Sequence, residues 1–108
     1  GMLYALITQT RIKIEIIVAI LAVILGAVLK LNSIEWLFLF LAIFIVIITE
    51  MVNTCIETVV DLYTEKFHEK AKIAKDVGAA AVIFAALNSV IVAYFLFFDK
   101  IIGIFTKM

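Results

Sequence analysis

The sequence contains no proline, only four glycines and a single cysteine among 108 residues. The lack of proline and scarcity of glycine argue against flexible linkers and low-complexity segments, so one domain over residues 1–108 is expected. A lone cysteine excludes an internal disulfide. Charge is also scarce, since nine basic and nine acidic residues leave no net charge. The chain therefore lacks the basic surface that is typical of nucleic-acid binding.

Apolar residues dominate instead, at 67% of the chain, where a soluble domain has about half. Val77 to Phe98 is a run of 22 residues without charge, and as a helix it spans about 33 Å, enough to cross a bilayer. The uncharged run from Ile16 to Leu29 is shorter and crosses only if Glu15 and the flanking lysines snorkel outward. The pattern predicts an all-α membrane protein with transmembrane helices near residues 12–31, 34–62 and 74–98.

The short connection between the first two helices predicts an antiparallel hairpin that turns near Asn32 and Ser33. Six basic residues lie at the N-terminal end and in the second loop, against three on the other side. This asymmetry places the N-terminus and the second loop in the cytoplasm. The six residues are Arg11, Lys13, Lys66, Lys70, Lys72 and Lys75.

Small residues recur in the first and third helices at the spacing that allows close helix packing in lipid. The alternative is ordinary alanine usage. These residues are Ala19, Ala22 and Gly26, and Gly78, Ala81 and Ala85.

The second helix carries a polar stripe, because Glu50, Asn53, Glu57 and Asp61 fall within about 80° of arc on a helix. A carboxylate inside a membrane is costly and usually functional. Carboxylates one turn apart repel each other and favour a bound cation. Oxygen ligands suit Mg²⁺, which usually takes one or two carboxylates together with substrate phosphates.

Glu50 lies deepest in this stripe and suits a general base. Lys75 and Asp76 stand where the third helix begins, and the lysine can bind phosphate as a point charge. The stripe therefore predicts phosphoryl transfer to a lipid hydroxyl at the membrane interface. No glycine-rich phosphate loop of a soluble kinase is present. Two simpler interpretations stay open: Asp61 as a solvated helix end, and Lys75 as a positive-inside anchor.

These residues together resemble the prokaryotic diacylglycerol kinase family, which includes the undecaprenol kinases. The segment around Tyr4 and Ala5 looks like the surface helix of that family, so the resemblance covers nearly the whole chain. The pattern is Glu50-x-x-Asn53-Thr54-x-Ile56-Glu57-x-x-Val60-Asp61, then His68, then Ala71-Lys72-Ile73-Ala74-Lys75-Asp76.

The resemblance implies a homotrimer of three-helix protomers with a short N-terminal surface segment, in the bacterial inner membrane. Active sites would lie between protomers and transfer the γ-phosphoryl group of ATP to a lipid alcohol. By position, Glu50 matches the catalytic base and Glu57 a metal-binding glutamate. The positions that match the nucleotide site are Asn53, Asp61, His68, Lys75 and Asp76.

Two positions depart from the family pattern. Gln9 stands where a glutamate normally partners the Glu57 position in holding metal, so an oxygen ligand is kept but a charge is lost. Lys13 replaces an arginine. The expected activity is Mg²⁺-dependent and ATP-dependent phosphorylation of undecaprenol, because the tract from Ala71 to Asp76 looks like that of undecaprenol kinases. The alternatives are a diacylglycerol kinase that makes phosphatidic acid, a catalytically weakened membrane scaffold, and a small proton-coupled transporter.

Overall fold

The computed structural model describes residues 2–63 and 69–107, with side chains from residue 10 onward. Three α-helices follow one another along the chain: α1 from Met2 to Val28, α2 from Ser33 to Tyr63, and α3 from Glu69 to Lys107. The three helices form a long bundle of 60 × 23 × 22 Å. Most contacts between helices join α2 to α3, and α1 packs less extensively against α2.

The α1–α2 hairpin turns where the sequence predicts it, and backbone geometry explains how. Lys30 adopts a left-handed conformation with φ of 58°. The N–H of Leu31 donates to the carbonyl of Gly26 at 3.1 Å, and that of Lys30 donates to Ala27 at 3.3 Å. This pair of bonds closes the last turn of α1 as a Schellman motif.

A capping box starts α2 immediately after this turn. The backbone N–H of Glu35 donates to Asn32 Oδ1 at 2.9 Å, and the Asn32 N–H donates to Glu35 Oε1 at 3.1 Å. The two bonds satisfy backbone donors that a helix start leaves unpaired. Lys100 of α3 also reaches Glu35 at 3.3 Å, so the hairpin end is tied to the third helix.

The hydrophobic core lies at this same end of the bundle. Leu31, Leu39, Leu96 and Phe97 are buried together, with Trp36 and other partly buried side chains packed around them. The opposite end of the bundle is held by polar contacts instead. The two ends of the bundle therefore differ in their contacts: apolar packing holds the hairpin end, and ion pairs join the helices at the opposite end.

The observed helix bounds correct two of the three predicted ones. α2 agrees to within one residue at each end, but α1 begins at residue 2 and α3 runs from residue 69 to residue 107. Residues 2–28 are one continuous helix, and the short surface segment at its N-terminal end stays a prediction. The predicted bounds followed the charge-free runs, whereas lysine and glutamate are good helix formers that extend a helix beyond the apolar core of a bilayer.

Among the helices of the described residues, α2 and α3 are long and apolar enough to cross a membrane. Their outward side chains are apolar, as for Phe84 and Phe95, which are 72% and 74% exposed. By length and composition, these two helices indicate a membrane protein. Charges at Arg11, Lys13 and Glu15 interrupt α1, and its longest charge-free stretch is residues 16–28, about 20 Å of helix. A third span therefore stays a prediction.

Close packing at Gly26 yields a stability prediction. A Cβ atom there would lie 2.9 Å from Leu31 Cδ1 and 3.0 Å from the ring of Trp36, whereas one at Gly103 would meet nothing within 4 Å. Gly26→Ala should therefore lower the free energy of unfolding by about 1–2 kcal/mol through overpacking. Gly103→Ala, the matched control, should raise it by about 0.5–1 kcal/mol through helix propensity. Unfolding in mild detergent measures both, and equal shifts of the same sign would contradict the packing argument.

Candidate functional site

The polar stripe of α2 faces the other helices, and its inner part is almost completely buried. Glu50 is 1% exposed and Asn53 is 2% exposed, which makes them the largest fully buried side chains of the described residues. Further along the helix, Glu57 is half-buried and Asp61 is exposed. The stripe thus leads from the interior of the bundle to the surface, and its residues become more exposed in the order in which they follow along α2.

Arg11 of α1 supplies the cation next to the buried carboxylate. Its Nη2 atom lies 3.2 Å from Glu50 Oε1, and its side chain is 43% exposed. Neither carboxylate oxygen of Glu50 has a hydrogen-bond donor among the described residues. Arg11 and Glu50 are therefore close enough to form an ion pair but are not oriented for a hydrogen bond. Glu15, one turn further along α1, interacts electrostatically with both Glu50 and Arg11.

Sequence reasoning missed this contribution of α1. Glu15 was expected to snorkel outward at a helix end, but it lies beside Glu50 instead. The available signal was the four-residue spacing of Arg11 and Glu15, which puts them on one face of α1. That spacing alone does not reveal which helix the face meets.

A second group lies one turn toward the surface. Asn53 Nδ2 donates to Glu57 Oε1 at 3.2 Å. The other oxygen of each side chain, Asn53 Oδ1 and Glu57 Oε2, is buried without a hydrogen-bond partner among the described residues. Both oxygens therefore lack a hydrogen-bond donor in the described part of the chain, and Asn53 Oδ1 lies against Gly78 of α3.

Gly78 of α3 makes room for this group. A Cβ atom at Gly78 would overlap Asn53 Oδ1 and approach Ile56. The stripe of small residues that predicted helix packing thus has a more specific role at this position, because the missing side chain lets α3 lie directly against the amide. Sequence reasoning assigned Gly78 to packing alone.

The surface end of the stripe is an ion pair between α2 and α3. Lys75 Nζ lies 2.5 Å from Asp61 Oδ1, with both side chains partly exposed. Glu57 interacts electrostatically with both members of this pair. Asp76 points elsewhere: it pairs with Lys72 at 3.0 Å on an exposed face of α3. The structure thus gathers Glu57, Asp61 and Lys75, and gives Asp76 a partner on its own helix.

Two of the predicted site residues cannot be placed in this arrangement. His68 lies outside the described residues, and Gln9 belongs to the part of α1 whose side chains the structure does not describe. Among the residues that the structure describes, no three acidic, histidine or cysteine side chains come together as a metal cluster.

An apolar cavity of about 360 Å³ opens between the three helices, with Glu15 at its wall. Glu15 is the charged residue in its wall, and Ser89 adds a hydroxyl. Through Glu15, the cavity therefore borders the group that this residue forms with Arg11 and Glu50. Among its apolar lining residues are Val18, Ala22, Ala42, Val46, Val90 and Phe97.

The sequence profile of the prokaryotic diacylglycerol kinases matches residues 1–97. This chain belongs to the prokaryotic diacylglycerol kinase family. The expected enzyme class, a lipid kinase, is confirmed at the level of the family, and the family accounts for ATP as the co-substrate. Membership in a family of membrane lipid kinases also agrees with the apolar character of α2 and α3.

Three relatives show how far the similarity extends. An undecaprenol kinase of Bacillus subtilis is 37% identical over 94 residues, which cover 87% of this chain and 76% of that protein. A diacylglycerol kinase of Synechocystis is 38% identical over 85% of this chain and 53% of its own length. A diacylglycerol kinase of Escherichia coli K12 is 34% identical over 84% of this chain and 75% of its own length.

The contact between Gly78 and Asn53 predicts a loss of kinase activity without loss of fold. In Gly78→Ala the new methyl group displaces the Asn53 amide, and the hydrogen bond to Glu57 is lost with it. We expect lipid kinase activity to fall at least tenfold, which corresponds to about 1.4 kcal/mol in the barrier. Gly103→Ala is the control and should keep normal activity. Full activity in Gly78→Ala would show that the position of Asn53 is unimportant.

Proposed function

We propose that this family member phosphorylates a membrane lipid alcohol with ATP, and that undecaprenol is the preferred acceptor. The observation that supports this most directly is the buried Glu50 carboxylate, which has no hydrogen-bond donor among the described residues and interacts with Glu15, a residue in the wall of the apolar cavity. Such a carboxylate can accept the proton of an alcohol that is delivered from a hydrocarbon environment. The name of the Bacillus subtilis relative supports undecaprenol, and the tract from Ala71 to Asp76 agrees with it.

Diacylglycerol is the second candidate, since the Synechocystis and Escherichia coli relatives carry that name. The two acceptors share the chemistry of a hydroxyl at the end of an apolar chain. They differ in their apolar tails. The wall of the cavity is apolar apart from Glu15 and Ser89, so it offers few polar contacts that could distinguish one tail from the other.

In the proposed reaction, Glu50 takes the proton of the lipid hydroxyl while the hydroxyl oxygen attacks the γ-phosphorus of ATP. The new bond joins this oxygen to phosphorus, and the bond from phosphorus to the β-bridging oxygen breaks, so ADP leaves with the electron pair. Little covalent chemistry is asked of the protein, and positioning and charge do most of the catalysis. The apolar surroundings of Glu50 also limit access of water, the competing acceptor.

We place the nucleotide at the surface end of the stripe. Lys75, held by Asp61 at 2.5 Å, would neutralise phosphate charge, since an ammonium group binds phosphate as a point charge. Asn53 and Asp61 would contact the nucleotide from α2, and we keep His68 and Asp76 as further contributors from the family pattern. The paired and partly exposed Asp61 and Lys75 suit a site that opens to the cytoplasm.

The residues between the base and the nucleotide fit Mg²⁺. Glu57 and Asn53 are hydrogen-bonded side chains that each keep one buried oxygen without a hydrogen-bond partner among the described residues, and Mg²⁺ combines few protein oxygens with substrate phosphates. Bound there, the ion would neutralise charge on the phosphates of ATP. Glu57 is therefore the proposed ligand, with Gln9 as a weaker uncharged one.

We further propose a homotrimer in the bacterial inner membrane, with α1 as the third span and residues 1–108 as one kinase domain. Asn88 lies exposed in the middle of the charge-free part of α3, where an amide gains from a partner in a neighbouring helix. The exposed outer end of the stripe also suits completion by a second protomer. The N-terminus and second loop would face the cytoplasm, the side that holds ATP.

The acceptor is tested with the purified protein in mixed micelles, given labelled ATP and either undecaprenol or diacylglycerol. We expect phosphate transfer to both, with a higher kcat/KM for undecaprenol. A clear preference for diacylglycerol would replace the first candidate by the second. Failure to phosphorylate either alcohol, in a protein that remains folded, would favour the scaffold alternative.

The magnesium site is tested by Glu57→Gln, which removes a ligand charge but keeps the shape of the side chain. Turnover should fall at least a hundredfold, and binding of Mn²⁺ as a spectroscopic substitute should weaken. The control is Asp99→Asn, an exposed acid at the far end of α3, which should change neither quantity. Unchanged metal dependence in Glu57→Gln would show that this residue is not a metal ligand. Native mass spectrometry should show the same assembly for the variant and the wild type, so that the comparison is valid.

Gln9→Glu is the complementary variant in the same titration. If residue 9 contributes to the metal site, the added charge should lower the Mg²⁺ requirement roughly ten- to hundredfold, about 1–3 kcal/mol. The lipid preference should not change, since the metal lies at the phosphate end. No gain in metal affinity would place residue 9 away from the ion.

A further inference from the structure

The guanidinium group of Arg11 has more donors than its ion pair uses. Only Nη2 approaches Glu50, at 3.2 Å, while the buried Nε has no acceptor among the described residues. A buried donor without an acceptor is unfavourable. Because the Arg11 side chain as a whole is 43% exposed, it is open to a ligand that arrives from the surface.

The charges around Arg11 indicate what that ligand is. Glu50 and Glu15 lie beside it, so an anion that binds here has to interact with the guanidinium strongly enough to offset repulsion from these two carboxylates. The nearby lysines already have partners, Lys75 on Asp61 and Lys72 on Asp76. Arg11 is the cation that touches the buried carboxylate, and guanidinium groups bind tetrahedral oxyanions through two parallel hydrogen bonds.

We propose that Arg11 is a catalytic residue that binds the phosphoryl group during its transfer while it holds Glu50 in place. This inference rests on the proposed function and deepens it, since the group it binds is the γ-phosphoryl of ATP. One side of the guanidinium keeps the carboxylate beside the lipid hydroxyl. The donors of the guanidinium group that do not contact Glu50 bind the non-bridging oxygens of the phosphoryl group, where charge is concentrated during transfer.

In this arrangement the Arg11 guanidinium contacts both the base, Glu50, and the electrophile, the γ-phosphoryl group. As the hydroxyl oxygen bonds to phosphorus, its proton passes to Glu50 and the bond to ADP breaks with its electron pair. Arg11 stays protonated throughout and exchanges no atom. Its contribution is to align the two reacting parts and to offset the negative charge that Glu15 and Glu50 place beside an incoming phosphate.

The test compares Arg11→Ala, Arg11→Lys and the charge control Lys107→Ala, in the last turn of α3. Steady-state kinetics give kcat and KM for ATP and lipid, and calorimetry gives the affinities for ADP and for a non-hydrolysable ATP analogue. We expect Arg11→Ala to lose about 10²–10³-fold in kcat with little change in KM for the lipid. Arg11→Lys should lie between, because it keeps the charge but not the paired donors. Lys107→Ala should match the wild type.

Two further results separate this role from a structural one. Guanidinium ion at millimolar concentration should restore part of the activity of Arg11→Ala, which does not occur when only folding is impaired. The wild type should bind the ATP analogue more tightly than ADP, and Arg11→Ala should lose that difference. An unchanged difference would overturn the inference even if the wild type proved inactive on lipids. Inactivity of the wild type would overturn the proposed function separately, because nucleotide binding is measured without lipid.

Discussion

A carboxylate buried among apolar helices is the constraint on which the other features of this protein depend. Glu50 is 1% exposed and is approached by one cation, Arg11, at 3.2 Å. An unpaired charge in such a place is strongly destabilising, so α1 must lie where its arginine reaches α2. The position of α1 is thus tied to an electrostatic requirement as well as to packing, and Glu15 of the same helix connects this charged group to the apolar cavity.

The rest of the site follows from a gradient along α2. Each turn of the helix brings the next polar residue closer to the surface, from Glu50 through Asn53 and Glu57 to Asp61. A reaction between a lipid and a nucleotide needs such a gradient, since one substrate arrives from hydrocarbon and the other from water. Gly78 allows α3 to close over the middle of the gradient, while the Asp61–Lys75 pair joins the two helices at its outer end.

Stability and chemistry are separated along the bundle. The capping box, the left-handed turn at Lys30 and the cluster around Leu31 and Phe97 hold the hairpin end. The opposite end has exposed acceptors and donors that a substrate can use. This separation allows the polar end to retain buried oxygens without partners, because the apolar end supplies the packing that keeps the three helices together.

The sequence by itself determined the helical class, the turn near Asn32, the bounds of α2 and the existence of a polar stripe, because these depend on local periodicity and composition. It also carried the family pattern. Only the tertiary structure decided that Arg11 and Glu15 belong to the site, that Asp76 pairs with Lys72, and that Gly78 accommodates Asn53. These facts depend on which faces of different helices meet, and the spacing within a single helix does not specify its neighbour. The helix ends were mispredicted for a related reason: charge ends the apolar span of a helix, but it does not end the helix.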